Sequence, residues 1–146
     1  MKLISRNSDE TEAIGFKIGK ILKAGDVVGL YGELGAGKTT MVKGIARAFG
    51  IDRRDVTSAS FTIIAEYQSS TPFFHIDLYR ISGNDDLYGT GISDCITDDS
   101  VSVIEWAEKA EEILPDDAVK VMMNDRGSDC REISIEGINE EDWDNL

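Results

Sequence analysis

The chain is poor in the residues that build metal centres and covalent cross-links. Its 146 residues include two cysteines, Cys95 and Cys130, and one histidine, His75. The cysteines are far apart in the sequence and fit no metal-ligand spacing, so neither a zinc site nor a disulfide is expected. We interpret both as free thiols of a protein in a reducing compartment.

Long apolar segments and positive charge are also scarce. No segment approaches the 18 apolar residues of a membrane span, and residues 1–6 lack the apolar core of a signal peptide, so we expect a soluble, cytoplasmic protein. Against 15 Lys and Arg stand 28 Asp and Glu, a net charge of −13. Such a surface repels phosphate backbones and disfavours broad binding of nucleic acid. The acidity suits either simple solubility or docking onto a basic protein partner.

The chain does contain a complete phosphate-binding motif. Residues 32–39 read Gly-Glu-Leu-Gly-Ala-Gly-Lys-Thr, which matches G-x-x-x-x-G-K-[S/T]. Residues 26–31 before it are short and apolar, as in a buried strand, and the apolar residues from Met41 to Phe49 fall on one face of a helix that Gly50 can end. A strand, a glycine loop and a helix directed at a phosphate form an anion site, so the pattern predicts binding of a nucleoside triphosphate.

Both side chains and backbone groups of this motif are expected to contact the nucleotide. Lys38 supplies a mobile positive charge to the β- and γ-phosphates, and Thr39 offers its hydroxyl to Mg²⁺. Thr40 follows directly and is expected to meet the α-phosphate. The remaining predicted nucleotide contacts in the loop are mainly backbone contacts, from Glu33, Leu34, Gly35, Ala36 and Gly37.

Two carboxylates follow apolar segments and are candidates for the second half of the site. Glu105 follows residues 101–104, which are small and β-branched, as in a central parallel strand. Asp77 follows residues 73–76, whose alternating aromatics are typical of a half-exposed hairpin strand. We therefore assign Glu105 to Mg²⁺, and Asp77 to positioning the attacking water or reading the γ-phosphate. The alternative for each is a strand-end carboxylate that faces solvent.

The rest of the pattern predicts a single α/β domain at residues 1–137 and an acidic, loose tail at 138–146, with Trp143 as its one anchor. A first helix is expected from Asn7 or Ser8 to Gly25. Hairpins are expected at 63–78 and 118–135, and a short helix is expected in each of the segments 82–100 and 106–114. We interpret His75 as structural and Trp106 as a packed aromatic rather than an adenine stacker.

Four segments occur in the order of one known family: residues 32–40, Ser-Ala-Ser-Phe-Thr at 58–62, His-Ile-Asp-Leu-Tyr-Arg at 75–80, and Glu-Trp at 105–106. From about residue 8 to 137 the chain resembles the TsaE (YjeE) family of bacterial P-loop ATPases. These proteins act with TsaB and TsaD to make N6-threonylcarbamoyladenosine in tRNA. The resemblance implies a three-layer P-loop NTPase-like α/β sandwich, with helices flanking a mixed, largely parallel central sheet.

For individual residues, the resemblance implies that Lys38 and Thr39 hold phosphate and Mg²⁺, that Glu105 holds Mg²⁺, and that Asp77 is needed for hydrolysis. It also implies that Glu10 lies near the adenine of ATP and that Arg131 belongs to a second stretch in contact with the nucleotide.

The resemblance also places Ser60 in a catalytic, switch-like segment, where the family usually has Ser-Pro-Thr-Phe. Ser60 keeps the hydroxyl, whereas Ala59 in place of proline loosens the free segment by about 0.4–1 kcal/mol. A milder departure is Glu33, which stands where the family commonly has Asp.

Three function classes are weighed. The favoured one is a Mg-dependent ATPase, slow on its own, that cycles with a TsaB–TsaD complex in tRNA modification. A small-molecule kinase with the same loop is the first alternative, although the chain has no evident arginine-bearing lid. A GTPase-like switch protein is the second, although the chain has no N-K-x-D motif to read guanine.

Overall fold

A computed structural model describes residues 1–59 and 62–146. The strands are β1 (Lys2–Ser5), β2 (Val27–Tyr31), β3 (Ile64–Tyr67), β4 (Phe73–Asp77), β5 (Val101–Glu105), β6 (Val119–Gly127) and β7 (Cys130–Glu136). The helices are α1 (Ser8–Ile21), α2 (Lys38–Ala48), α3 (Asn84–Gly89) and α4 (Glu140–Asp144), with short 3₁₀ turns at Arg53–Asp55, Ile92–Asp94 and Ala107–Ala110. No helix of the described ranges is long and apolar enough to cross a membrane.

The strands form one mixed sheet in the order β1-β7-β6-β2-β5-β4-β3. Its centre is parallel, because β2 pairs with β5 and β6, and β5 also pairs with β4. The remaining pairs, β1–β7, β6–β7 and β3–β4, are antiparallel. Helices α1 and α2 cover one face of the sheet, and α3 with the 3₁₀ turns at Ile92–Asp94 and Ala107–Ala110 covers the other. The predicted fold class, a three-layer α/β sandwich around a mixed and largely parallel sheet, is confirmed.

The cap that the sequence predicts for α1 is present in the structure. Asn7 caps the helix, since its side-chain oxygen accepts the backbone N–H of Glu10 at 2.8 Å. The helix ends at Ile21, before Gly25, which serves the turn into β2. Helices α1 and α2 pack unusually closely: a Cβ built on Gly44 would lie 2.0 Å from the carbonyl oxygen of Glu12.

The interpretation of β4 as a half-exposed hairpin strand was wrong. Phe73, His75 and Ile76 are fully buried, and Asp77 is nearly so. The reason is topological: β4 does form a hairpin with β3, but its other edge pairs in parallel with β5, and cover on both faces of the sheet buries it.

The acidic C-terminal residues also differ from expectation. Instead of a loose tail they form α4, with Asn139 as its cap. Trp143 is 7% exposed and belongs to the core cluster on the α1 side, and Lys17 Nζ lies 4.3 Å from the centre of its ring. Strand β1, which the sequence pattern did not predict, pairs with β7 beside it.

Candidate nucleotide site

The phosphate loop, residues 32–39, connects the carboxyl end of β2 to the start of α2. Gly37 precedes the helix with φ 96°, and no side chain caps this end. The first-turn N–H groups of an α-helix have no partner within the helix, so this end is suited to an anion. Gly32, with φ 154°, lets the loop pass β6, because a Cβ there would lie 2.6 Å from the carbonyl oxygen of Met123. The loop geometry therefore requires glycine at both positions.

Lys38 is folded back over its own loop. Its Nζ donates to the carbonyl oxygens of Gly32 at 2.6 Å and Glu33 at 2.9 Å, and lies 4.0 Å from the ring centre of Trp106. The side chain is 5% exposed, and burial lowers its pKa, an effect that nearby carboxylates, Glu105 first, partly oppose. The ammonium is held by contacts that a phosphate group could replace.

Thr39 and Glu105 meet at the neighbouring strand end. Glu105 ends β5 in register with Leu30 of β2, which brings it beside the start of α2. The Thr39 hydroxyl lies 3.2 Å from each carboxylate oxygen of Glu105, to which it donates. A hydroxyl and a carboxylate are oxygen ligands of the kind that Mg²⁺ prefers.

Asp77 lies one strand further along, in register with Glu105. Its carboxylate accepts the backbone N–H of Tyr79 at 2.9 Å. Burial raises the pKa of Asp77, the charge of Glu105 adds to that rise, and the Tyr79 N–H opposes it. Two carboxylates at adjacent strand ends therefore occupy one partly desolvated site.

Arg131, on β7, braces the loop from the other side. Its Nε donates to the carbonyl oxygen of Ala36 at 3.0 Å, and one terminal nitrogen donates to that of Gly35 at 3.2 Å. The other terminal nitrogen pairs with Asp125 at 3.0 Å. In this arrangement Arg131 orders the loop backbone directly.

These groups surround one cavity of about 360 Å³. Its lining consists of Leu34, Gly35, Gly37, Lys38, Thr39, Thr40, Ser58, Asp77, Tyr79, Glu105, Trp106 and Arg131. Most residues predicted for the site are thus brought together. Glu33 and Ala36 do not line it, and contribute the backbone carbonyls that hold Lys38 and Arg131.

Comparison with known proteins places this architecture in a family. The family model described as "Threonylcarbamoyl adenosine biosynthesis protein TsaE" matches residues 5–133. The chain belongs to the TsaE family. The predicted family resemblance is therefore confirmed, and the family is involved in biosynthesis of threonylcarbamoyladenosine.

Individual TsaE proteins match nearly the whole chain. The "tRNA threonylcarbamoyladenosine biosynthesis protein TsaE" of Treponema pallidum is 36% identical over 135 residues, covering 92% of this chain and 99% of the relative. The protein of the same name from Bacillus subtilis is 39% identical over 133 residues, covering 90% and 82%. The crystal structure of Bacillus subtilis YdiB superposes with a TM-score of 0.72 at 37% identity, covering 97% of this chain and 87% of that one.

Two residues that the TsaE resemblance assigned are not seen in the cavity. Glu10 lies in the first turn of α1, where its carboxylate accepts the backbone N–H of Arg6 at 2.7 Å, outside the cavity lining. Its proposed place near adenine stays a prediction. Ser60 lies outside the described residues, so the structure gives no position for it; Ser58, two residues earlier, does line the cavity.

Three residues near the loop were missed by sequence reasoning. Ser8 and Thr11 of α1 and Asp129 of the β6–β7 turn line a smaller space of about 110 Å³, which shares Gly37, Thr40 and Arg131 with the loop. Asn7 and Ser8 were considered only as helix caps, and no motif marks Thr11 or Asp129. Their proximity depends on long-range packing, which a local pattern does not contain.

Trp106 lines the cavity and packs against its neighbours, and its interpretation as a packed aromatic rather than an adenine stacker stays a prediction. Its ring lies beside Lys38 and 5.2 Å from that of Tyr79, centre to centre. The backbone at Trp106 is left-handed, with φ 59°, a conformation that costs a bulky residue free energy and is concentrated at functional sites. This sharp turn directly after Glu105 sends the chain away from the sheet and places the indole over the lysine.

Proposed function

We propose that this TsaE family member binds Mg-ATP and hydrolyses it as the ATPase component of the tRNA threonylcarbamoyladenosine machinery, in the cytoplasm. The observation that carries the proposal is the convergence, in one cavity, of an uncapped helix N-terminus, Lys38, the Thr39–Glu105 pair and Asp77. These are the parts that phosphoryl transfer needs: an anion cradle, a mobile cation, oxygen ligands for a metal and an acid near the terminal phosphate.

The phosphate cradle supports triphosphate binding. In the proposal the backbone N–H groups at the start of α2 take the β-phosphate, and Lys38 moves from the carbonyls of Gly32 and Glu33 to the β- and γ-phosphate oxygens. That exchange replaces two neutral acceptors with a charged one, which strengthens the hydrogen bonds of the ammonium. Leu34, Gly35, Ala36, Gly37 and Thr40 would complete the cradle.

The metal assignment also fits the residues present. Among the described residues no group of three or more His, Cys, Asp or Glu side chains could hold a metal ion. Mg²⁺ is therefore proposed to arrive with the nucleotide, held by Thr39 and Glu105 together with phosphate oxygens and water, as is usual for this ion. Bound there, it would neutralise charge on the phosphates.

Asp77 is proposed to act in hydrolysis, by positioning the attacking water or accepting its proton. A partly desolvated carboxylate with a raised pKa is a better proton acceptor than a solvated one, and Asp77 lines the same cavity as Lys38. The resemblance adds Ser60 as a second catalytic group, and Glu10 as an adenine contact. The missing N-K-x-D motif supports a preference for ATP over GTP.

The partner proposed from the family resemblance is a TsaB–TsaD complex. Leu34, 73% exposed, and Tyr79, 47% exposed, lie on the rim of the cavity and offer apolar surface to a protein that closes it. With a net charge of −13, the chain is expected to dock on a basic face, so association should weaken as salt rises.

The test is nucleotide binding and phosphate release, with ATP and GTP, alone and with TsaB–TsaD. Lys38→Ala should lose turnover, Glu105→Ala should make binding nearly independent of Mg²⁺, and Asp77→Ala should keep binding but lose hydrolysis. Lys43→Ala, on the same helix but outside the cavity, is the control and should behave like the wild type.

Three results would each contradict the proposal: equal affinity for GTP, wild-type turnover by the Lys38 variant, or no complex with TsaB–TsaD at any salt or nucleotide condition.

A further inference from the structure

A buried histidine contacts the carboxylate of Glu105, the proposed metal ligand. His75, in the middle of β4, is fully buried, and its Nε2 lies 2.5 Å from Oε2 of Glu105. It precedes Asp77 by two residues, so both side chains lie on the same face of the sheet as Glu105. Of these three, only Asp77 and Glu105 line the cavity.

The surroundings of the ring decide which nitrogen carries the hydrogen. Nδ1 of His75 is buried and has no hydrogen-bond partner among the described residues. A hydrogen on Nδ1 alone would leave a donor unpaired there and would turn the Nε2 lone pair toward a carboxylate. A hydrogen on Nε2 avoids both penalties, because an unpaired acceptor is less costly than an unpaired donor. Nε2–H therefore donates to Glu105.

We propose that His75 is a positioning residue for the proposed Mg²⁺ site, a role that rests on the function proposed above. The bond to Oε2 fixes the rotation of the Glu105 carboxylate at the end of a flexible side chain. The carboxylate is thereby held with both oxygens 3.2 Å from the Thr39 hydroxyl, at the wall of the cavity. Groups that orient metal ligands in this way change metal affinity by roughly 10- to 100-fold when removed.

The alternative is a histidine that only fills space in the core. The two roles differ in chemistry. A side chain that only fills space can be replaced by any other of similar volume, whereas a positioning residue needs an N–H donor at the same distance from the backbone as Nε2 of His75. Gln extends its amide N–H to nearly that reach, Asn falls short of it, and Leu fills space without any donor.

The experiment is calorimetry of ADP binding over a Mg²⁺ series, which involves no turnover. The wild type should bind ADP more tightly as Mg²⁺ rises. His75→Leu and His75→Asn should need at least about tenfold more Mg²⁺ for the same effect, whereas His75→Gln should stay near the wild type. ADP affinity without Mg²⁺ should be equal in all four proteins, since His75 does not touch the cavity.

A double variant and a control isolate the contact. In a Glu105→Ala background, His75→Asn should have no further effect on Mg²⁺ dependence, because the group that it positions is gone. Ser102→Ala is the control: Ser102 is also buried, on β5, but it bonds the carbonyl oxygen of Cys95, and its loss should not change the Mg²⁺ requirement.

The outcomes separate the two proposals. Wild-type ADP binding that ignores Mg²⁺ overturns the metal assignment and this inference with it. A wild type that needs Mg²⁺, together with Leu and Asn variants that need no more of it, overturns the role of His75 alone. A His75→Gln variant that needs as much Mg²⁺ as the His75→Asn variant also overturns the role of His75. If the Leu variant does not fold, the comparison of Gln with Asn decides.

Discussion

The close contact between α1 and α2 allows a quantitative test of how the phosphate loop is held. Gly44, inside α2, faces the backbone of α1, and Gly44→Ala would place a Cβ 2.0 Å from the carbonyl oxygen of Glu12 and 2.8 Å from the nitrogen of Phe16. Ordinary contact begins at 3.4 Å, so the helices must separate by about 1.4 Å. Backbone atoms cannot rotate away, unlike the end of a flexible side chain.

Two effects of opposite sign compete in this variant. Alanine is a better helix former than glycine by about 1 kcal/mol. Overpacking lowers the free energy of unfolding by about 1–3 kcal/mol, and by more where backbone must move. Because backbone must move here, we expect a loss slightly above about 3 kcal/mol from overpacking. The net expectation is a loss of about 2 kcal/mol, which for a chain of this size lowers Tm by roughly 6–8 °C.

The measurement is thermal and urea unfolding of the Gly44 variant beside Gly89→Ala. A Cβ at Gly89, the last residue of α3, meets no heavy atom within 4 Å, so this control should stay within about 0.5 kcal/mol of the wild type. Because α2 begins with Lys38 and Thr39, the Gly44 variant should also bind nucleotide more weakly. A Gly44 variant as stable as the wild type would refute the packing argument.

Three further substitutions test the pKa of Asp77, the contacts of Arg131 with the phosphate loop, and the packing of Trp143. Asp77→Asn should raise stability near pH 7, because burial raises the pKa of Asp77 and its ionised carboxylate therefore costs free energy in the folded protein. This gain should shrink as the pH falls through the raised pKa of the folded state and should be gone below the ordinary pKa of 3.8. Unfolding curves with no gain at pH 7 would contradict the pKa direction. Arg131→Ala should weaken nucleotide binding about tenfold in calorimetry by loosening the loop carbonyls, while Arg126→Ala on the same hairpin should not. Trp143→Ala should lower the free energy of unfolding, measured in urea, by about 2–3 kcal/mol. This loss is smaller than that of a tryptophan removed from the centre of a core, because α4 can detach from the rest of the fold. An unchanged urea midpoint would show that the packing of Trp143 does not stabilise the protein.

The features that sequence analysis predicted well are contiguous. The phosphate loop is eight adjacent residues whose spacing fixes their geometry, and the Asn7 cap depends on a neighbour three residues away. Glu105 and Asp77 could be singled out because each directly follows a short apolar segment, and the structure puts them in register at adjacent strand ends. Their assigned chemical roles stay predictions.

The features that sequence analysis missed depend on distant partners. Strand β1 has four residues and little alternation, and it exists because β7 offers an edge. The burial of β4 is set by β5, not by its own aromatic pattern. In α1, neighbouring residues differ by about 100° around the helix axis, so Glu10 and Thr11 face different surroundings. His75 was interpreted only as structural, because its contact with Glu105 joins residues 30 positions apart.

The strand order has a consequence for synthesis of the chain. Strand β2 carries the phosphate loop, but both of its sheet neighbours, β5 and β6, begin only at Val101 and Val119. At translation rates of about 5–20 residues per second, β2 therefore leaves the ribosome roughly 5–20 s before its last neighbour exists. During that interval α1 and α2 can pair but the loop has no finished sheet beneath it. The proposed nucleotide is therefore expected to stabilise the nearly complete chain rather than the earlier steps of folding.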